Sequence, residues 1–197
     1  MQSLAGQLDE NLYSLWIQRK SKPEQINNPG QITLGARDSL HCGRKWNSVK
    51  LIRNSSWTFH MDGLTAGRYT SKRKKKALSN PSQALILGPS RDIKWIAQAI
   101  NATMDESYGL YRLGCEQKNL PDIVFNIGGV DYTIPPVNYV SKYANFYGDI
   151  CFIDFLAIDG WGYTDASWVF GTPLTRSYCT TYNFANKTLE FAENMRR

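Results

Sequence analysis

The side chains best suited to chemistry in this chain are few and widely spaced. Four cysteines occur, at Cys42, Cys115, Cys151 and Cys179. An even number without any Cys-x-x-Cys spacing points to disulfides rather than to a zinc or redox site, and four cysteines allow three pairings. The two histidines, His41 and His60, lack zinc-ligand spacing and read as surface or strand residues, so no metal and no cofactor is expected. Asp122, Asp149, Asp154, Asp159 and Asp165 stand in no catalytic motif and read as solvated turn residues. Three Asn-x-Ser/Thr sequons, at Asn54, Asn101 and Asn186, are candidate glycan acceptors if the chain enters a secretory pathway.

Composition bounds the rest. A length of 197 residues suits one domain, or one lobe of a larger protein. A hydrophobic fraction of 42% is enough for a sizeable core and argues against disorder. No apolar run approaches the ~20 residues of a membrane span, and Met1 to Gly6 shows no apolar signal-peptide core. Even cysteine usage and sequons nevertheless favour a secreted, lysosomal or extracellular setting over a reducing one. The formal charge is +6, to which the run Lys72-Arg73-Lys74-Lys75-Lys76 contributes strongly. That run reads first as a solvated hairpin tip; a polyanion-binding patch or a dibasic processing site are the sharper readings. No nucleic-acid partner is expected, because no reading motif accompanies the charge.

The elements that must position these residues are mostly short strands. Leu12 to Ile17, Gln31 to Gly35, Trp57 to Met61, Phe152 to Phe155 and Trp168 to Phe170 read as strands, with Ser21 to Gly30 a loop. Asp62-Gly63 is a strong turn signal. Ile123 to Ile127 and Val130 to Ile134 read as a hairpin around Gly128-Gly129, ended by Pro135-Pro136. Ser177 to Phe191 reads as two strands around Asn183 to Lys187. Pro89 to Met104 is the best helix, with Ile93, Ile96, Ala97 and Ile100 at helical spacing, Ser90 as cap and Asp92 near the positive end of the dipole. Gly160-Trp161-Gly162-Tyr163 reads as an exposed turn whose aromatics could line a binding surface. The fold class is mostly β with one or two short helices, residues 1–197 forming one domain.

A series of segments in this order resembles one family. Leu34 to Asp38 and Phe59 to Gly63 come first. Leu120-Pro121-Asp122-Ile123-Val124-Phe125, Gly129-Val130-Asp131-Tyr132 and Ile134-Pro135-Pro136 follow. Ser167-Trp168-Val169-Phe170-Gly171, Arg176 to Asn183 and Leu189 to Ala192 complete it. Together they resemble the C-terminal lobe of pepsin-like aspartic proteases (peptidase A1), and Cys42-Gly43 with Tyr178-Cys179 looks most like the nematode branch. The resemblance implies a single acid-protease lobe. It implies disulfides Cys115–Cys151 and Cys42–Cys179. It also implies that Val169, Phe170 and Gly171 support a catalytic loop.

That loop is where the sequence departs from the family. Gly88-Pro89-Ser90 marks the helix start that follows the family's Asp-Thr-Gly-Thr-Ser. Counting back places Asn80, Pro81, Ser82, Gln83 and Ala84 there instead, and no Asp-Thr-Gly or Asp-Ser-Gly occurs elsewhere. Aspartic proteolysis needs two carboxylates sharing one proton to activate water. An amide cannot take that proton, Pro81 fixes φ and lacks an N–H, and Ser82 lacks the freedom of glycine. Thr172 stands where an aspartate usually follows the Gly171 element. The expectation is a pseudo-protease lobe that binds a protein or peptide, with self-association through the face that a second lobe would cover. The alternatives are half of an aspartic-type endopeptidase and a structural or storage protein without a dedicated site.

Overall fold

A computed structural model describes residues 6–25, 29–146, 148–159 and 166–195. The described residues form four small sheets because the apolar residues come in short alternating runs, each bounded by turn residues. The first sheet has the order β2 (Gly30–Leu34), β1 (Leu12–Ile17), β17 (Tyr178–Asn183), β18 (Thr188–Asn194), β3 (Cys42–Lys50). In β1 the alternation is plain: Leu12, Ser14 and Trp16 are buried while Tyr13, Leu15 and Ile17 are half-buried. The second sheet runs β12 (Val130–Ile134), β11 (Ile123–Ile127), β5 (Gly63–Ala66), β6 (Tyr69–Ser71). The third runs β13 (Val140–Asn145), β14 (Gly148–Ile153), β10 (Leu110–Leu113), β9 (Thr103–Asp105).

The fourth sheet holds the candidate site. Its order is β15 (Phe155–Ala157), β8 (Ile86–Gly88), β16 (Trp168–Phe170), β7 (Lys75–Ser79), β4 (Thr58–Met61). Here β16 pairs parallel with β7 and antiparallel with β8, so a strand from late in the chain is threaded between two that are neighbours in sequence. The aromatic core locks this arrangement. Phe125 packs edge-on against Trp168 and Phe170, and Phe59 lies against Phe170 and Phe191. All five are buried, and each such side chain gives roughly 1.5–3 kcal/mol through removal of apolar area from water.

The fold is mostly β as expected; among the described residues it includes three helices, α1 (Ser90–Ile100) and the short α2 (Pro136–Tyr139) and α3 (Thr172–Ser177). Helix α1 buries Ile93, Ile96, Ala97 and Ile100. It stops at Ile100 because Asn101 adopts the left-handed conformation, φ 59°, and closes the helix with its own N–H on the carbonyls of Ala97 and Gln98. Ser90 is not the cap: Pro89 holds that position and Ser90 is already helical. Asp62-Gly63 does not close a hairpin either. Strand β4 ends at Met61 and β5 begins at Gly63 in a different sheet, so the two residues mark a change of sheet. The Lys72–Lys76 run is not a hairpin tip for the same reason. Lys72, Arg73 and Lys74 are an exposed connection between sheets, while Lys75 and Lys76 open β7 opposite Met61 and His60.

Asp154, expected in a solvated turn, is 4% exposed. Its Oδ2 lies 3.5 Å from Lys20 Nζ and 3.6 Å from Arg176 Nη1, and accepts the Ser141 hydroxyl at 2.9 Å. Burial pushes the carboxyl up and both cations down, against their mutual attraction. Asp122, Asp149 and Asp159 are exposed, and Asp165 lies outside the described residues.

A second buried carboxylate, Asp38, organises the turn into β3. It accepts the N–H groups of Leu40 (2.8 Å) and His41 (3.0 Å) and lies 2.8 Å from His41 Nδ1. Burial alone would raise this carboxyl; the hydrogen bonds from the His41 ring and the two amides outweigh it and hold it below its ordinary range. A depressed acid contributes stability above its unfolded pKa, about 3.9, and that contribution disappears as pH falls through the lower folded value. Asp38→Ala should therefore cost about 2 kcal/mol at pH 7, with the gap to wild type closing at pH 3 and below. Urea melts across this range measure it, and a gap independent of pH would contradict the assignment.

Candidate functional site

The site is the loop from Asn80 to Leu85, between β7 and β8. The Asn80 N–H donates to the Phe170 carbonyl at 2.9 Å, extending the β7–β16 pairing by one residue. The Asn80 carbonyl then accepts the Gln83 N–H at 3.0 Å, which closes a turn. Pro81 suits this turn because its ring presets φ. The Asn80 side chain faces its own loop: Oδ1 accepts the Ser82 hydroxyl at 2.7 Å and the Ser82 N–H at 3.3 Å. Thr172 ties the far side, its N–H donating to Gln83 O at 2.8 Å and its hydroxyl to Ala84 O at 2.9 Å.

Gly171 makes this crossing possible. A Cβ there would lie 2.3 Å from both the Gln83 and the Leu85 carbonyl oxygens, so no larger residue fits. Gly88 is similarly constrained, with the Trp168 ring 2.5 Å from where its Cβ would be. Phe170 and Gly171 thus touch the loop, while Val169 pairs with Leu78 and Leu87 on the strands either side of it. Behind Asn80, the Ser79 hydroxyl and the Tyr182 phenol are 2.7 Å apart, and Tyr182 stacks on Tyr13 at 4.7 Å. Burial pushes the Tyr182 phenol far above its ordinary value, so it stays protonated.

The loop contains no titratable side chain, and no carboxylate among the described residues hydrogen-bonds to it; the nearest acidic residue in the bonding pattern, Asp154, contributes only its backbone carbonyl, to Ile86. The arrangement can therefore hold a shape and offer amide and hydroxyl hydrogen bonds. It cannot hold the shared proton of an acid pair. Asn54, Asn101 and Asn186 are all exposed and are not brought together. His60 is exposed on β4 and His41 packs on Trp16 at 4.0 Å. The Gly160 to Tyr163 turn lies outside the described residues.

Two disulfides join Cys42 to Cys179 and Cys115 to Cys151. Sequence reasoning missed one feature altogether. Arg68, Arg91 and Trp95 line a groove of about 620 Å³ between α1 and β6. Its helical half was readable, since Arg91, Lys94, Trp95 and Gln98 recur at helical spacing on the side opposite the apolar stripe.

Known proteins resemble this chain along nearly its whole length. The family described as eukaryotic aspartyl protease matches residues 2–194. Aspartic protease 17 of Caenorhabditis elegans is 32% identical over 194 residues, covering 98% of this chain and 49% of the relative. Aspartic protease 1 of the same organism is 29% identical over 195 residues, covering 98% and 49%. Renin-2 of Mus musculus is 29% identical over 190 residues, covering 95% and 46%. The chain spans about half the length of the curated relatives it matches.

Proposed function

Since the chain belongs to the eukaryotic aspartyl protease family, we propose that it is a non-catalytic C-terminal lobe of that fold which acts by binding a protein or peptide. One observation carries the reading. The loop that should present a carboxylate presents Asn80, whose amide oxygen is occupied by Ser82, while the scaffold beneath it keeps Gly171 in close contact. Pro81 adds a chemical lock. An asparagine turns into aspartate most readily when the next backbone nitrogen attacks its side chain, and the Pro81 nitrogen carries no hydrogen for that cyclisation. Asn80 therefore has no easy spontaneous route back to an acid.

The partner surface is the face of β1 and β2 beside the loop, where Tyr13 stacks on the buried Tyr182 whose phenol meets Ser79. It carries Leu15, Ile32 at 62% exposure and Leu34 at 49%. Apolar side chains on an edge strand invite a second chain. A two-fold dimer through this face would bring two Asn80 loops together without an acid pair. No nucleic acid and no membrane partner belong to this proposal, and among the described residues no helix is long and apolar enough to cross a membrane. A second reading keeps the family activity. The chain would be half of an aspartic-type endopeptidase whose other lobe lies outside this sequence, which the 49% coverage of its relatives favours.

The purified chain should leave denatured haemoglobin intact at acid pH, with or without pepstatin, and Asn80→Asp alone should not change that. The same preparation should associate reversibly in sedimentation as concentration rises. Pepstatin-sensitive cleavage would overturn the non-catalytic assignment, and a monomer at all concentrations would remove the proposed surface.

The proposed setting is secreted or lysosomal, supported by the two disulfides and the exposed sequons. Enzymatic deglycosylation of the chain secreted from eukaryotic cells should lower its mass, and an unchanged mass would leave Asn54, Asn101 and Asn186 bare.

A further inference from the structure

The outer face of α1 is unusual for a surface helix. Its exposed positions are Arg91, Lys94, Trp95 and Gln98, with no acid among them, whereas its one acid, Asp92, is turned inward and takes the Tyr69 hydroxyl at 2.6 Å. Trp95 is 46% exposed and stacks flat on Tyr69, 5.7 Å between centroids at 11°. Arg68, at the turn between β5 and β6, completes the groove with Thr70 and Ala99. Past the end of β6 the basic character continues: Lys72 lines a second groove that shares Thr70 with the first, and Arg73 and Lys74 follow in the exposed connection. Of Arg68, Lys72, Arg73, Lys74, Arg91 and Lys94, only Lys74 forms an ion pair among the described residues, a loose one with Asp62 at 3.9 Å. Besides Asp92, which is committed to Tyr69, the acids Asp62 and Asp131 line the second groove, where Asp62 accepts the Gly128 N–H and Asp131 accepts the Asn126 side-chain amide. Asp159 lies at the start of α1 on the Ser90 N–H.

We propose that the groove between α1 and β6 binds a linear polysaccharide carrying sulfate groups. Two unpaired guanidinium forks flanking one groove match tetrahedral and planar anions bidentately. Trp95 offers a flat apolar face to a sugar ring, with its other side backed by Tyr69. The cations that follow β6, Lys72 to Lys74, extend the contact beyond one sugar. A single-stranded nucleic acid fits less well, because successive bases need successive stacking platforms; here Trp95 covers the Tyr69 ring, and the Tyr69 hydroxyl is committed to Asp92. The site lies on elements separate from the Asn80 loop, so the inference stands or falls independently of the catalytic reading.

Titration of the full chain with a heparin hexasaccharide, followed by tryptophan fluorescence and calorimetry, tests it. Affinity should fall at least about tenfold between 50 and 200 mM salt, as counterion release at several contacts demands. Arg68→Ala with Arg91→Ala should weaken binding about tenfold or more and flatten the salt dependence. Trp95→Ala should weaken it several-fold with the salt dependence unchanged. Arg44→Ala with Lys45→Ala, which removes the same charge from exposed positions on β3, should change it less than twofold. Equal losses from the two double variants would overturn the proposal, since net charge alone would then explain binding. So would tighter binding of an oligothymidylate of the same charge, or no measurable heparin binding at 50 mM salt.

Discussion

Gly171→Ala should unfold the lobe at ordinary temperatures or cost at least about 3 kcal/mol, the upper part of the range for forced overpacking. The reason is geometric. The added Cβ would lie 2.3 Å from two carbonyl oxygens, Gln83 O and Leu85 O, and both are backbone atoms of the loop that Thr172 clamps on the other side. Nothing flexible is available to move. Shifting the loop would break the Asn80–Phe170 hydrogen bond, and shifting β16 would break its pairing with β7. Gly114→Ala is the control, because a Cβ there meets nothing within 4 Å. Urea unfolding should place the Gly114 variant near wild type and the Gly171 variant far below it. A Gly171 variant within about 1 kcal/mol of wild type would mean that β16 is not threaded against the loop in solution, and the register placing Asn80 there would fail with it.

Removing the Cys42–Cys179 disulfide should be as damaging. It spans 137 residues, for which the chain-entropy model gives about 5 kcal/mol of constraint on the unfolded chain. The Cys115–Cys151 bridge spans 36 residues and gives about 4 kcal/mol by the same model. Against a total stability of about 5–15 kcal/mol, either is a large share. The longer bridge also holds the end of the first sheet where β18 shifts register between Ala192 and Asn194, and where Trp16, Ala192 and Trp46 pack around the sulfurs. Cys42→Ser with Cys179→Ser should therefore lower the urea midpoint more than Cys115→Ser with Cys151→Ser. A loss under about 2 kcal/mol from the Cys42–Cys179 pair would show that the unfolded chain gains little from its release.

The parts of the fold that were legible in the sequence are those with a local cause. The β11–β12 hairpin shows alternation on both arms, and Gly128 and Gly129 both take positive φ between them, 60° and 77°. The apolar stripe of α1 has a period that no strand would give. Strand β3 was not legible, because its exposed and half-buried residues, Arg44, Lys45, Asn47 and Ser48 among them, show no clean alternation at the edge of the sheet beside β18. Helix α3 hides in a Thr-Pro start whose signal, proline in the first turn, competes with its reading as a loop. Asp154 looked solvated because its partners Lys20 and Arg176 are far away in sequence. The candidate loop is placed at Asn80 to Ala84 by its distance from Gly88-Pro89, a local landmark. The groove was not found, because its two walls, Arg68 on a β-turn and Trp95 on a helix, meet only in the folded chain.

The central claim is that this lobe supplies no catalytic carboxylate even when the other half of an active site is available. The most direct measurement refolds or co-expresses the chain with the N-terminal half of its relative Aspartic protease 17 and assays acid, pepstatin-sensitive cleavage of denatured haemoglobin. Two forms are compared: the natural chain, and one in which residues 80–84 are changed to Asp-Thr-Gly-Thr-Ser. The account predicts no cleavage with the natural chain, since one carboxylate cannot share a proton with Asn80, and any activity confined to the restored form. Pepstatin-sensitive cleavage by the natural chain with that partner would contradict it.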